Sequence, residues 1–451
     1  MTDLRETKLS RNRTILNMAV PAMFALLAEP LLGVVDTALI GHFGVRELAA
    51  LGIVTPFMAM VVWLFSFLLT STNATVANFV GEGDLSRAAS FWVQCQVIAV
   101  GIGVSVCLLG MVLEGAVFAV MGGSDSLREL SSYYYCVRLL GVPFALSGFV
   151  SIGFLRGLQD MKIPMVVALA VNLLNALLDV ILIYGVDGYV PAYGLAGAGV
   201  ATACCQGLGA LWLASLVYRR CPDVVSHFKT PFADSALIRR MFSINRDLFV
   251  RTFSLLFSFT FAASMASRIG EVTLGAHQVG TQAWIFLAFA LDSFAVTGLS
   301  LGGRLMGEDR KEELHAYGKL LLVWGVGLGC IFSGLLALFE NQIIALFTND
   351  AGVAAQVGEV YLLVVLFQPL NGFTFVLDGL LVGTLDTRFL MVQLLIAAFA
   401  VYVPMAAAAY MLDWGLYGIW WGLTLFLAAR CGLSGWRFFT RGYLGGKRAK
   451  N

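Results

Sequence analysis

The sequence predicts an all-α integral membrane protein of twelve transmembrane helices in two homologous six-helix lobes related by pseudo-two-fold symmetry. Three observations carry that expectation: a composition too apolar for water, twelve long apolar stretches, and an internal repeat at a constant offset. The 451 residues are 59% hydrophobic and 13% charged, and the mean hydropathy is +0.84. A soluble domain is ~45–50% apolar and ~25% charged. A large core does not account for the missing charge, because a soluble surface still needs polar cover. The solvent is lipid. A net charge of +1 gives no ground for a nucleic-acid partner. The eight cysteines lie mostly inside apolar runs, with no CxxC spacing and no Cys/His cluster. They read as small buried hydrophobes, and neither a metal nor a cofactor is expected. The start of the chain, Met1–Arg13, is polar and basic, and the apolar run after it is too long for a signal peptide.

A bilayer core of ~30 Å takes ~20 apolar residues per helix. Such stretches fall at 15–40, 48–73, 91–113, 133–155, 164–184, 194–218, 247–267, 273–298, 317–338, 357–381, 391–410 and 416–436. Runs so long and continuous are helices, since only helices and closed barrels satisfy their backbone in lipid. With the N-terminus inside, the cytoplasmic segments hold 23 of the 29 basic residues, from Arg5 and Lys8 to Arg448 and Lys450. The outer loops hold only Arg46, Arg128 and Arg268. That bias predicts an even helix count with both termini cytoplasmic, in a plasma (inner) membrane.

The longest polar break, 219–246, separates an N-terminal lobe, 1–218, from a C-terminal lobe, 247–451. The two align at an offset of 226: Gly44 with Gly270, Gly81-Glu82 with Gly307-Glu308, Pro143 with Pro369, Gly157 with Gly383. Six helices per copy make the repeat parallel, about an axis near the membrane normal. Internal repeats of this kind are a signature of transporters.

Charge in the middle of a bilayer costs at least ~2.5–3.5 kcal/mol, so each intramembrane carboxylate asks for a reason. Glu29, Asp36, Asp179, Asp292 and Asp378 all stand inside spans. At 1.5 Å per residue Asp36 lies about 31 Å along its helix from Ile15, which places it in the outer half. Asp179 is about 22 Å from its cytoplasmic end, also in the outer half. Pro30 removes a backbone hydrogen bond just before Asp36 and permits a hinge there. Asn172, Asn175 and Asp179, spaced by three and four, share one helix stripe. Two carboxylates held together out of water repel, and a shared cation relieves that, so the stripe suits proton or sodium binding. Glu29, two turns before Asp36, reads equally as function or structure. So do Asp292 and Asp378, neither of which occupies the repeat position of Asp36 or Asp179. Arg138 and Arg251 lie near span ends and are expected to reach toward the interface. His277, Gln278 and Gln282 could line a cavity, although a packed histidine is the simpler reading of His277. P-loop, HExxH and GxSxG-with-triad patterns are absent, so the chain does not read as an enzyme, and a gradient would drive any transport.

The run Pro30-Leu-Leu-Gly-Val-Val-Asp36-Thr-Ala-Leu-Ile-Gly41-His resembles the first helix of multidrug and toxic compound extrusion (MATE) transporters of the DinF branch. So do Asn175-x-x-x-Asp179, the run Gly194–Thr202, Leu291-Asp292-Ser-Phe-Ala, and Leu377-Asp378-Gly-Leu-Leu-Val-Gly383. The resemblance spans all twelve helices. It implies two six-helix lobes exporting amphiphilic, often cationic, compounds in exchange for protons or sodium. It also implies that Asp36, Asn175 and Asp179 form a cation site in the N-terminal lobe, with bending at Pro30 linked to protonation. The glutamate typical of the NorM branch in helix 7 is missing from Phe249–Ser267, which argues against a NorM-type sodium site. Glu29 is not part of the family pattern. A lipid-linked-sugar flippase of the same superfamily is the runner-up, and a non-transporting scaffold or receptor is the reading from another class. A monomer and a proton, with sodium second, complete the expected partners alongside small-molecule substrates and the lipid bilayer.

Overall fold

The computed structural model describes residues 8–121, 125–228 and 235–440. Arg5, Lys229, Arg441, Lys447, Arg448 and Lys450 of the charge count lie outside the described residues. The first half runs α1 (Lys8–Phe43), α2 (Val45–Leu64), α3 (Phe67–Gly81), α4 (Leu85–Val112), α5 (Glu114–Met121), α6 (Asp125–Gly157), α7 (Lys162–Tyr184) and α8 (Leu195–Arg220). After a short α9 (Val224–His227) come α10 (Ser235–Ile269), α11 (Glu271–Gly307), α12 (Lys311–Leu338), α13 (Glu340–Phe347) and α14 (Ala351–Gly383). The chain closes with α15 (Thr387–Leu395), a π-helical segment Ile396–Tyr402, α16 (Val403–Met411) and α17 (Gly415–Thr440). Among the described residues, twelve spans are long and apolar enough to cross a membrane, α2 with α3 and α15 with α16 each counting as one.

The repeat read from sequence governs local structure. Helices α4 and α12, α5 and α13, and α6 and α14 begin and end 226 residues apart. The turns between spans repeat as well: left-handed Gly83 (φ 78°) recurs as Asp309 (φ 57°), and Gln159 (φ 64°) as Leu385 (φ 61°). A non-glycine residue costs about 1 kcal/mol there, so the turn shape is kept even where the residue is not. Helix starts are capped by side chains, Asp84 accepting from Arg87 N at 2.9 Å and Asp350 from Val353 N at 2.8 Å. Two features break the repeat. The first-half span tightens to i→i+3 bonds at Phe65 and Ser66, whereas α11 runs unbroken through Leu291 and Asp292. The π-helical segment occurs only in the second half, among the described residues.

Close helix approach explains the paired glycines. A Cβ at Gly153 would strike Leu69 O at 2.6 Å, and one at Gly379 would strike Ala295 O, the same contact 226 residues on. Gly103 likewise faces Pro143, and Gly329 faces Pro369.

The chain forms two compact units. One takes the residues up to Met23 and those from Ser243 onward; the other is Phe24–Phe242. Both divides fall inside helices, in α1 and in α10. In the Phe24–Phe242 unit α6 is the centre, packed on α2, α3, α4 and α8, with α7 against α8. In the other unit α14 is the centre, packed on α11, α12 and α17. The beginning of α1 is tied to α12 there: Trp324 Nε1 donates to Asn12 Oδ1 at 2.9 Å, and Arg11 lies over Tyr317.

Candidate functional site

The polar stripe of α7 faces α1 in the Phe24–Phe242 unit. Asn172 Nδ2 donates to Ala28 O at 2.9 Å, and at the far end of the stripe Tyr184 Oη donates to Leu39 O at 2.8 Å. Between these clamps Asn175 and Asp179 are buried, at 1% and 0% exposure. The Asp36 and Asp179 carboxyls lie within hydrogen-bond reach of each other, and Oδ1 of each is buried without a partner. With its amide turned to satisfy both neighbours, Asn175 donates to Asp179 Oδ2 at 3.3 Å and accepts from Thr202 N of α8 at 3.2 Å. The stripe of three and the aspartate on α1 thus form one constellation. Helix α1 continues through Pro30. Proline offers no N–H to the carbonyl of Leu26, so the ladder is one bond short just below Asp36.

Glu29 is exposed and does not join the hydrogen-bonded set. Arg138 of α6 adds a positive charge near this set. It lies close enough to act electrostatically on Glu29, Asp36 and Asp179 together. Its guanidinium also sits 5.9 Å from the Tyr134 ring. The Cys205 thiol touches Asn175. Sequence reading missed Arg138 and Cys205 at this site. The signal for Arg138 was the cost of a charge inside a span.

The second unit holds a different polar centre. Asp378 of α14 is buried and accepts from two guanidiniums, Arg251 Nη2 of α10 at 2.8 Å and Arg430 Nη2 of α17 at 2.7 Å. Arg251 therefore pairs inside the protein, contrary to the snorkelling expected of it. Asp292 is half-buried on α11, while Gln278 and Gln282 are exposed. His277 packs edge-on to Trp420, ring centroids 6.0 Å apart, with Nδ1 unpartnered. Among the described residues, no cluster of three His, Cys, Asp or Glu side chains could hold a metal ion.

The model of the MatE family matches residues 21–181 and 248–407, once in each half of the chain. The chain belongs to the MATE family of transporters. This MATE protein is 30% identical to Protein DETOXIFICATION 44, chloroplastic, of Arabidopsis thaliana, over 95% of this chain and 82% of that one. It is 28% identical to DNA damage-inducible protein F of Escherichia coli, over 94% and 91%. Its fold superposes on that of the Vibrio cholerae MATE transporter VcmN with a TM-score of 0.86 at 18% identity, covering 97% of this chain and 98% of that one. Members of the MATE family are multi-pass membrane transporters of small molecules and not enzymes, so the intramembrane carboxylates belong to transport chemistry or to its scaffold.

Proposed function

We propose that this MATE protein exports amphiphilic, often cationic, small molecules in exchange for protons, and that Asp36 and Asp179 are the groups that load and release the proton. The observation carrying this reading is the reach between the two carboxyls. A hydrogen bond between carboxyl groups exists only while one of them holds a proton. Losing it leaves two like charges face to face out of water, and the helices bearing them then favour a different packing. A bound ligand moves a conformational balance only through such differential affinity. Asn175 steadies Asp179, Asn172 holds the α1 backbone beside Glu29, and the missing ladder bond at Pro30 makes α1 the pliant element. The transporter works as a monomer in a plasma membrane, with both termini cytoplasmic. One proton crossing ~100 mV supplies ~2.3 kcal/mol, and each pH unit adds ~1.4 kcal/mol. At one-for-one exchange the potential alone holds roughly a fifty-fold gradient of a neutral compound.

Efflux from proteoliposomes, normalised to folded protein, tests the assignment. Asp36→Asn keeps the volume but cannot cycle a proton, so it should insert and bind substrate yet fail to export against a gradient. Asp179→Asn should fail in the same way, with the double variant little worse, because both interrupt one cycle. Near-normal pH-driven efflux by Asp36→Asn would overturn the mechanism. Wild-type efflux that follows a sodium gradient and ignores pH would replace the proton with sodium.

A further inference from the structure

Three helices of the unit built from the second half converge on one carboxylate. Asp378 Oδ2 accepts from both Arg251 and Arg430, and Asp378 Oδ1 accepts from Ser434 Oγ at 3.2 Å. Gln393 Nε2 fastens the far side, donating to Ser434 Oγ and to Arg430 O, both at 2.7 Å. The side chains of Asp378 and Arg430 are 7% and 5% exposed, against 19% for Arg251. Among the described residues no second carboxylate pairs with either arginine. Asp247, one turn before Arg251 on α10, is held by Arg246 at 2.7 Å and by Thr387 Oγ1 at 3.2 Å. The cluster therefore carries two cations for one anion, inside spans where charge is costly. Its donors are also in excess, since Arg430 Nε is buried with no partner. Guanidinium forks take oxyanions two bonds at a time, and that geometry sets them apart from a lysine point charge.

We infer that Arg251, backed by Arg430, binds an oxyanion group of the exported compound, a carboxylate above all. Arg430 neutralises Asp378 one for one, which leaves Arg251, the more reachable arginine, as the uncompensated cation. Asp378 is then a resident ligand that holds the fork ready and shares it with the incoming anion. The inference rests on reading the chain as an exporter and narrows its substrates to those that bear an acidic group, zwitterions included.

The test is equilibrium binding of benzoate to the full-length protein in nanodiscs of neutral lipid, by calorimetry at constant ionic strength. It needs no gradient, so its outcome stands apart from that of the efflux experiment. Saturable one-to-one binding is expected, with chloride a poor competitor because a sphere cannot use the fork. Arg251→Gln should weaken benzoate about tenfold or more, the loss of a charge-assisted contact, and Arg251→Lys should retain part of the affinity. Asp378→Asn removes the resident competitor, so it should bind benzoate more tightly and gain thermal stability from benzoate. Absence of saturable benzoate binding to the wild type would overturn the inference, as would unchanged affinity in Arg251→Gln. Discs containing phosphatidylglycerol separate a lipid source: occupancy of the site by that headgroup, with no benzoate bound in neutral discs, also rejects the substrate reading.

Discussion

Gly379 follows Asp378 on α14, and its replacement by alanine pits two known effects against each other. In an open helix position Gly→Ala is favourable by about 1 kcal/mol, because alanine loses less backbone entropy on folding. At Gly379 the new Cβ would strike Ala295 O and lie 2.7 Å from Ala295 C and 2.8 Å from its Cα. All three are backbone atoms, so no rotamer relieves the clash and α14 must part from α11 by on the order of 1 Å to reach an ordinary carbon–oxygen contact. Overpacking of a tight interface costs about 1–3 kcal/mol, and displacing a buried ion-paired element adds to it. The clash wins over the propensity gain. Gly379→Ala is therefore destabilising, whereas Gly334→Ala on α12, where nothing lies within 4 Å, is stabilising by up to about 1 kcal/mol. Thermal unfolding of the two purified variants in detergent, beside wild type, gives opposite shifts in Tm. A Gly379→Ala protein as stable as the Gly334→Ala one would refute the packing argument, and with it the equivalence of Gly379 and Gly153.

Two further outcomes concern parts of the chain outside the spans. Burial alone would raise the Glu308 carboxyl, but hydrogen bonds from Arg310 and Arg304, at 2.8 and 2.7 Å, outweigh it and hold the group below its ordinary 4.5. The stabilisation is complete above that value and is lost as pH falls through the lower folded value, so Tm should drop in acid less steeply in Glu308→Gln than in wild type; parallel profiles would contradict this. For topology, Ser226→Cys, in the charged stretch between the two halves, should resist a membrane-impermeant maleimide added to intact cells, while Asn349→Cys should react. Labelling of Ser226→Cys from outside would reverse the assigned orientation.

Much of this architecture is written in one dimension. Lipid forces every span to be long, apolar and helical, so composition and run length suffice to count twelve spans. The repeat offset aligned Gly157 with Gly383, and the structure adds Gly153 and Gly379 at the same offset, because equivalent close approaches demand a missing Cβ at equivalent positions. Helical periodicity put Asn172, Asn175 and Asp179 on one stripe, and that stripe faces Asp36. What sequence could not reach were the partners of the arginines. A guanidinium on a long stem can extend to the interface or fold onto a neighbouring helix, and only packing decides which. Arg138 lies within electrostatic range of three carboxylates from α1 and α7, and Arg251 met Arg430 on Asp378 across 179 residues of chain. Local pattern determines what each helix must hide; tertiary structure alone determines which charges are hidden together.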